Sequence, residues 1–280
     1  MKTSLSWKID KILESEIDPA FARRAKIIFQ NLEVGPRSKI LDLGCGRGFY
    51  LKGLRNLFPR TENTGIDLNP AYLETTRRFL DDPKTSIVQG DAQKLPFGKN
   101  SFDRLIASEI LEHLPKDQKA LKEIKRVLKP GGIAMITVPN KNYPFLWDPL
   151  NWALEKVFKL HLPSHIWWVA GIWADHYRLY TEEKLKRKIK KAGLKILQSW
   201  KTTFYCFPFS HFLFYGIGKN LVEKGLFPQL NRFEKEKQKG LLTKLVQLPI
   251  NLVDQLNEKI DKNQEMKRSV NLIFKISKPK

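Results

Sequence analysis

The chain has 280 residues, 42% of them hydrophobic and 28% charged. That is a globular composition, long enough for one large domain or two small ones, and it excludes a disordered or fibrous chain. Lysine and arginine number 50 against 29 acidic residues, a formal charge of +21 that points to an anionic partner: nucleic acid, an acidic membrane face or an acidic carrier.

The excess is uneven. Residues 1–36 carry +1 and 37–140 carry +6, whereas 141–280 carry +14. Two cysteines, Cys45 and Cys206, offer neither a disulfide framework nor metal-ligand spacing, so a reducing, cytoplasmic setting and no bound metal are expected. Residues 1–7 lack the apolar core of a secretory signal. The longest uncharged stretch, Thr202–Gly218, has 17 residues and contains Pro208. It falls short of the roughly 20 apolar residues that span a bilayer.

In chain order, residues 1–36 read as an N-terminal helical segment, with a helix over 19–31 that begins at Pro19. From Lys39 short apolar runs alternate with helix-length segments: 40–43, 64–67, 86–89, 103–107 and 133–138. Strands separated by crossover helices imply a mostly parallel α/β sheet. Residues 141–176 interrupt this rhythm as an aromatic insertion holding Trp147, Trp152, Trp167, Trp168 and Trp173. A helix follows, with Thr181 as N-cap, Leu185 and Ile189 as its buried stripe and Gly193 as its stop. A strand is expected over 194–200, a helical insertion over 206–268, and a final strand over 269–276.

The first strand runs into Asp42-Leu43-Gly44-Cys45-Gly46-Arg47-Gly48. Glycines at a strand–helix junction let the backbone turn tightly and approach a ligand, and the helix start offers free N–H groups. A dinucleotide fingerprint would be G-x-G-x-x-G; here the third glycine comes one residue early and Phe49 takes its place. Asp42 would repel a pyrophosphate and attract an ammonium or sulfonium, which favours S-adenosylmethionine over NAD. Asp67, at the tip of the second strand, is placed to accept ribose hydroxyls, with Leu68 beside it to pack on adenine. Asp91 with Ala92, after the third strand, can border the adenine amino group.

The segments Ile40–Gly48, Gly65–Asp67, Gly90–Phe97, Ser101–Asp103, Leu111–Leu114 and Leu121–Gly132 together resemble the class I S-adenosylmethionine-dependent methyltransferases. The likeness is to the branch that includes quinone-biosynthesis and lipid methyltransferases. It is dense over 37–140 and looser over 176–200. It implies a Rossmann-like fold with a seven-stranded, mostly parallel sheet whose last strand is antiparallel, so that 37–280 form one methyltransferase domain with two insertions. It also implies that Asp42, Gly44, Gly46 and Gly48 hold the methionine end, Asp67 the ribose, and Asp91 and Ala92 the adenine. Ser108 and Glu109 would line the floor of the methyl-transfer site, or else form an ordinary helix entrance.

A general base is needed only if the acceptor must lose a proton. His113 and His176 are the candidates, with a structural histidine as the alternative for each, and no catalytic residue is assigned. Residues 141–215 contain 18 of the 31 aromatics, seven of them within 204–215. Aromatic rings beside lysines suit a membrane interface, a lid over an apolar substrate, or a helical core. The reading favoured is a small apolar or lipid-like acceptor, with docking on the inner membrane face through 182–219. RNA methylation through the basic surface is the second reading, and a protein that binds S-adenosylmethionine without turnover the third.

Overall fold

The computed structural model describes residues 4–280 except 15, 17, 81, 83, 167–169, 214–252, 254, 258–265 and 267. Its frame is a seven-stranded sheet: β1 (Lys39–Leu43), β2 (Glu62–Asp67), β3 (Ser86–Gln89), β4 (Phe102–Ser108), β5 (Leu128–Pro139), β6 (Lys195–Thr202) and β7 (Asn271–Ser277). The strand order is β3-β2-β1-β4-β5-β7-β6. Pairing is parallel from β3 through β5, while β7 runs antiparallel to both neighbours. The expected mixed α/β sheet with an antiparallel last strand is therefore present.

Period-two alternation divides the core between the two faces. Leu41, Leu43, Leu105, Ala107, Ala134, Ile136, Leu272, Phe274 and Ile276 pack with α5 (Asp117–Val127) and α7 (Glu182–Lys191). Their neighbours Ile40, Ile106, Met135 and Ile273 face α1 (Ser4–Leu13), α2 (Pro19–Asn31) and α3 (Phe49–Leu57). The N-terminal helices thus form one layer of the sandwich: Ile9, Phe21, Ala25, Ile28 and Phe29 are buried in that core. Asp18 caps α2 by accepting from the N–H groups of Ala20 and Phe21 at 3.0 and 3.2 Å, with Pro19 where no donor is needed. On the far side of α3, α4 (Pro70–Leu80) packs Leu73 and Leu80 onto Cys45 and Leu51.

The strand expected at 133–138 begins at Leu128, because a register shift opposite Phe102 and Arg104 lets the 128–132 segment join the sheet. Thr181 caps α7 through the Lys184 N–H, and both Leu185 and Ile189 are buried. The aromatic insertion folds α6 (Pro149–Val157) and short turns around a small core of Tyr143, Trp147, Ile172, Leu179, Cys206 and Val270, with Trp152 and Trp173 against it. Trp167, Trp168 and most of the expected helical insertion 206–268 lie outside the described residues. Within that insertion, the buried Asn257 accepts from the N–H groups of Phe204 and Tyr205 and so holds the exit of β6.

Candidate active site

The strand order reverses between β1 and β4, and open α/β sheets bind ligands outside the carboxyl ends of the strands at such a switch point. A cavity of about 570 Å³ lies there, within the range typical of small-molecule sites. Its lining includes Gly44, Gly46 and Asp67 together with Ile110, Glu112, His113, Trp147, Ile172 and His176, and Ile110 packs directly against Gly44.

The loop after β1 is bound to β2. Gly44 N–H and Cys45 N–H both donate to Ile66 O, at 2.8 and 3.0 Å. Gly46 N–H donates to Asp67 Oδ2 at 2.9 Å, and Thr76 Oγ1 donates to Gly46 O at 2.7 Å. Gly46 has φ of 51° and open space where a Cβ would stand, so a ligand can meet the backbone there. Gly48 lies outside the cavity lining. It starts α3 at φ 86°, where a Cβ would come within 2.7 Å of Thr76 Cγ2.

Asp42 is 1% exposed, and its Oδ2 has no hydrogen-bond partner. Burial, helped by the charge of Asp67, pushes its carboxyl up to about 8. A buried, unpartnered carboxylate oxygen two residues before a glycine loop with open backbone fits a cationic ligand such as the ammonium or sulfonium of S-adenosylmethionine. Asp67 lines the cavity and also accepts from Asn69 N–H at 2.9 Å. Asp42, Leu68, Asp91 and Ala92 do not line the cavity. Leu68 is 67% exposed beside Asp67, Asp91 accepts from Gln93 N–H at 2.8 Å, and Ala92 is buried in the core.

Ser108 and Glu109 end β4 in a hydrogen-bonded row. The Glu109 carboxylate can only accept, so Thr137 Oγ1 must donate to its Oε1 at 2.8 Å; Ser108 Oγ is then the donor to Thr137 and accepts from Tyr50 O–H, each at 3.1 Å. Glu109 Oε2 accepts from Asn271 Nδ2 at 3.1 Å and lies 3.4 Å from Arg24 Nη1. Glu109 holds φ of 53°, a left-handed conformation that costs a non-glycine residue about 1–3 kcal/mol and turns its carboxylate toward these partners. Ser108 sits behind the cavity lining and Glu109 within it.

The two histidines come together. His113 and His176 stand edge to face with ring centroids 4.6 Å apart. Each Nδ1 meets a backbone carbonyl, Asp175 O at 3.0 Å and Ile172 O at 2.6 Å, so each carries its proton on Nδ1 and leaves Nε2 as a lone pair. Burial, reinforced by His113, lowers His176 to about 3 and keeps it neutral. Glu112 is fully buried beside them with neither oxygen hydrogen-bonded; burial and the Glu109 charge hold its carboxyl well above the usual range.

Sequence reasoning assigned no role to Arg24, Glu112 or Asn271. Arg24 carried a signal: with Phe21 and Ile28 it falls on the apolar stripe of α2, an odd place for a charge unless a buried partner waits. Asn271 and Glu112 carried none, since their burial depends on neighbours distant in the chain.

A model for a methyltransferase domain matches residues 41–136, the stretch that supplies β1 through β5, and this match sits on the fold and cavity described above. Residues 41–136 thus carry the sequence of a methyltransferase domain. It is 38% identical over 121 residues to a sterol 24-C-methyltransferase of Gibberella zeae, covering 41% of this chain and 31% of that one. It is 28% identical over 196 residues to the demethylmenaquinone methyltransferase of Staphylococcus aureus, covering 66% and 78%. Against the first three curated relatives the match spans 31–38% of their length. In structure, the chain superposes on phosphoethanolamine N-methyltransferase 2 of Haemonchus contortus, solved with S-adenosylmethionine, with a TM-score of 0.59 over 98% of this chain and 57% of that one. The identity there is 19%, so that likeness speaks for the fold.

Proposed function

We propose that this chain transfers a methyl group from S-adenosylmethionine to a small apolar or lipid-like acceptor. The observation that carries the reading is one cavity lined both by the glycine loop (Gly44, Gly46) and Asp67 and by the apolar side chains Ile110, Trp147 and Ile172. Gly44, Gly46 and Asp42 would hold the methionine end, Asp67 the ribose, and Leu68, Asp91 and Ala92 the adenine. When bound, S-adenosylmethionine supplies a methyl group already activated on a sulfonium, which is transferred by in-line displacement. The chain's residues then work mainly by placement: the row from Tyr50 to Glu109 fixes the floor, and the Arg24–Glu109 pair closes it against α2. The neutral His176 Nε2 can accept a hydrogen bond from an acceptor hydroxyl.

Asp67→Ala removes a charged hydrogen-bond acceptor and is expected to weaken S-adenosylmethionine binding by about 10–100-fold in calorimetry. Unchanged affinity would refute the cofactor assignment. Radiolabelled methyl transfer into a fractionated cell extract is expected to mark the organic phase, whereas label in RNA would overturn the acceptor class.

The curated relatives act, by name, on a sterol and on demethylmenaquinone, which supports a lipid-like acceptor. The surface supports docking on an anionic membrane. Val157 and Phe158 are 68% and 65% exposed, and Leu150 and Leu160 are exposed with them, beside Lys156 and Lys159. Tyr205, Phe209 and Leu213 add a second exposed apolar run inside 182–219. On α7, by contrast, Lys186 pairs with Glu182 and Lys188 with Asp117, so the inferred docking face centres on α6 and 205–213.

A further inference from the structure

A cluster in the cavity lining has a chemistry that methyl transfer from S-adenosylmethionine does not require. Ligand atoms of Glu112, His113 and His176 all lie within 4.8 Å of one another, and all three residues line the cavity. They come from two distant segments, the turn Leu111–His113 after β4 and the end of the aromatic insertion. Two hydrogen bonds join these segments: Tyr177 N–H donates to Glu112 O at 2.9 Å, and the His113 side chain donates from Nδ1 to Asp175 O.

Three features set this group apart from a chance meeting of polar side chains. First, each imidazole has its Nδ1 proton committed to a carbonyl, the outer-shell contact that orients metal-binding histidines and leaves Nε2 as the ligand. Second, Glu112 is fully buried with two oxygens that no hydrogen bond satisfies, a costly arrangement unless a cation meets it. Third, the neighbouring Glu109 carboxylate already accepts from Thr137 and Asn271 and pairs with Arg24, which leaves Glu112 as the acid of the two with unsatisfied oxygens.

We propose that Glu112, His113 and His176 bind a divalent transition-metal ion, with Glu112 supplying a carboxylate oxygen and the histidines their Nε2 atoms. Two imidazoles and one carboxylate suit zinc, manganese or ferrous iron, whereas magnesium and calcium take all-oxygen sites. Three protein ligands leave a coordination position open, and it faces the cavity. If that cavity is the methyl-transfer site, the open position selects an acceptor that presents an oxygen, a hydroxylated lipid-like molecule rather than a bare hydrocarbon. This last step rests on the function proposed above; the metal site does not.

The test uses the full chain, stripped with chelator and titrated with cobalt(II) as a visible-absorption probe, then with zinc in competition by calorimetry. One saturable equivalent with ligand-field bands is expected. Glu112→Gln, which keeps the side-chain shape, and His176→Ala should each weaken binding by about a hundredfold or more, with cooperative melting confirming the fold. Absence of a saturable equivalent, or unchanged affinity in both folded variants, would overturn the site. S-adenosylmethionine binding is measured on the same samples. Metal bound without S-adenosylmethionine supports the metal site and sinks the methyltransferase reading; S-adenosylmethionine bound without metal does the reverse.

Discussion

Asp42 shows how one side chain links folding to ligand binding. Its carboxyl is held near 8, above the usual value of 3.8, by burial and by Asp67. The folded protein therefore binds that proton more tightly than the unfolded chain does. Its contribution to stability is greatest in acid and declines as pH rises from about 4 to 8. A cationic ligand reverses the preference, because it needs the ionised form. S-adenosylmethionine affinity is thus expected to rise by up to about tenfold per pH unit below 8 and to level off above it. Calorimetry from pH 6 to 9 measures the slope, and Asp42→Asn should flatten it; a slope that survives the substitution would assign it to another group. Asp42 was legible as a candidate site residue because an acid before a glycine loop at a strand end is a local pattern. Its burial was not, since β2 and the packing around β1 create it.

At the level of elements, α2 carries more than its position near the N-terminus suggests. It packs on the sheet through Phe21, Ala25, Ile28 and Phe29, and it delivers Arg24 to Glu109. Its N-cap is therefore coupled to the site: Asp18→Ala is expected to cost about 1–2 kcal/mol in urea unfolding. A loss near zero would show that the two N–H bonds to Asp18 are replaced by solvent. The helix itself was legible from Pro19 and its periodicity. Its place against the sheet was not, because an amphipathic stripe names a buried face without naming what covers it. The contrast between α6 and α7 makes the same point. The α7 stripe of Leu185 and Ile189 is buried as its pattern requires, while α6 buries Asn151 and leaves Leu150 and Val157 in solvent.

For the molecule as a whole, the +21 charge governs association rather than fold. Lys156 and Lys159 lie in sequence among the exposed apolar side chains of 145–160, while Asp67 and Glu109 line the cavity. Co-sedimentation with anionic liposomes is expected to fall by about tenfold or more in a Val157→Asp, Phe158→Asp double variant, because two apolar anchors become like-charged with the lipid. Binding should also weaken with salt, yet persist better than a purely electrostatic contact would. Equal sedimentation of variant and parent would remove α6 from the docking face.

Much of this protein was determined by its sequence alone. Strand runs of alternating or apolar residues, helix starts such as Thr181, and acids closing successive strands are local patterns, and local patterns survive being read one residue after another. The glycine loop and Asp67 belong to this class. What the tertiary structure alone decided was proximity: Arg24 beside Glu109, Asn271 from the last strand on the same carboxylate, and His176 at the edge of His113 beside the buried Glu112. None of these pairs is close in the chain. Each exists because hydrophobic burial on both faces of one sheet folds distant segments onto the same strand ends, where side chains that carry no mutual signal in sequence come within reach of one another.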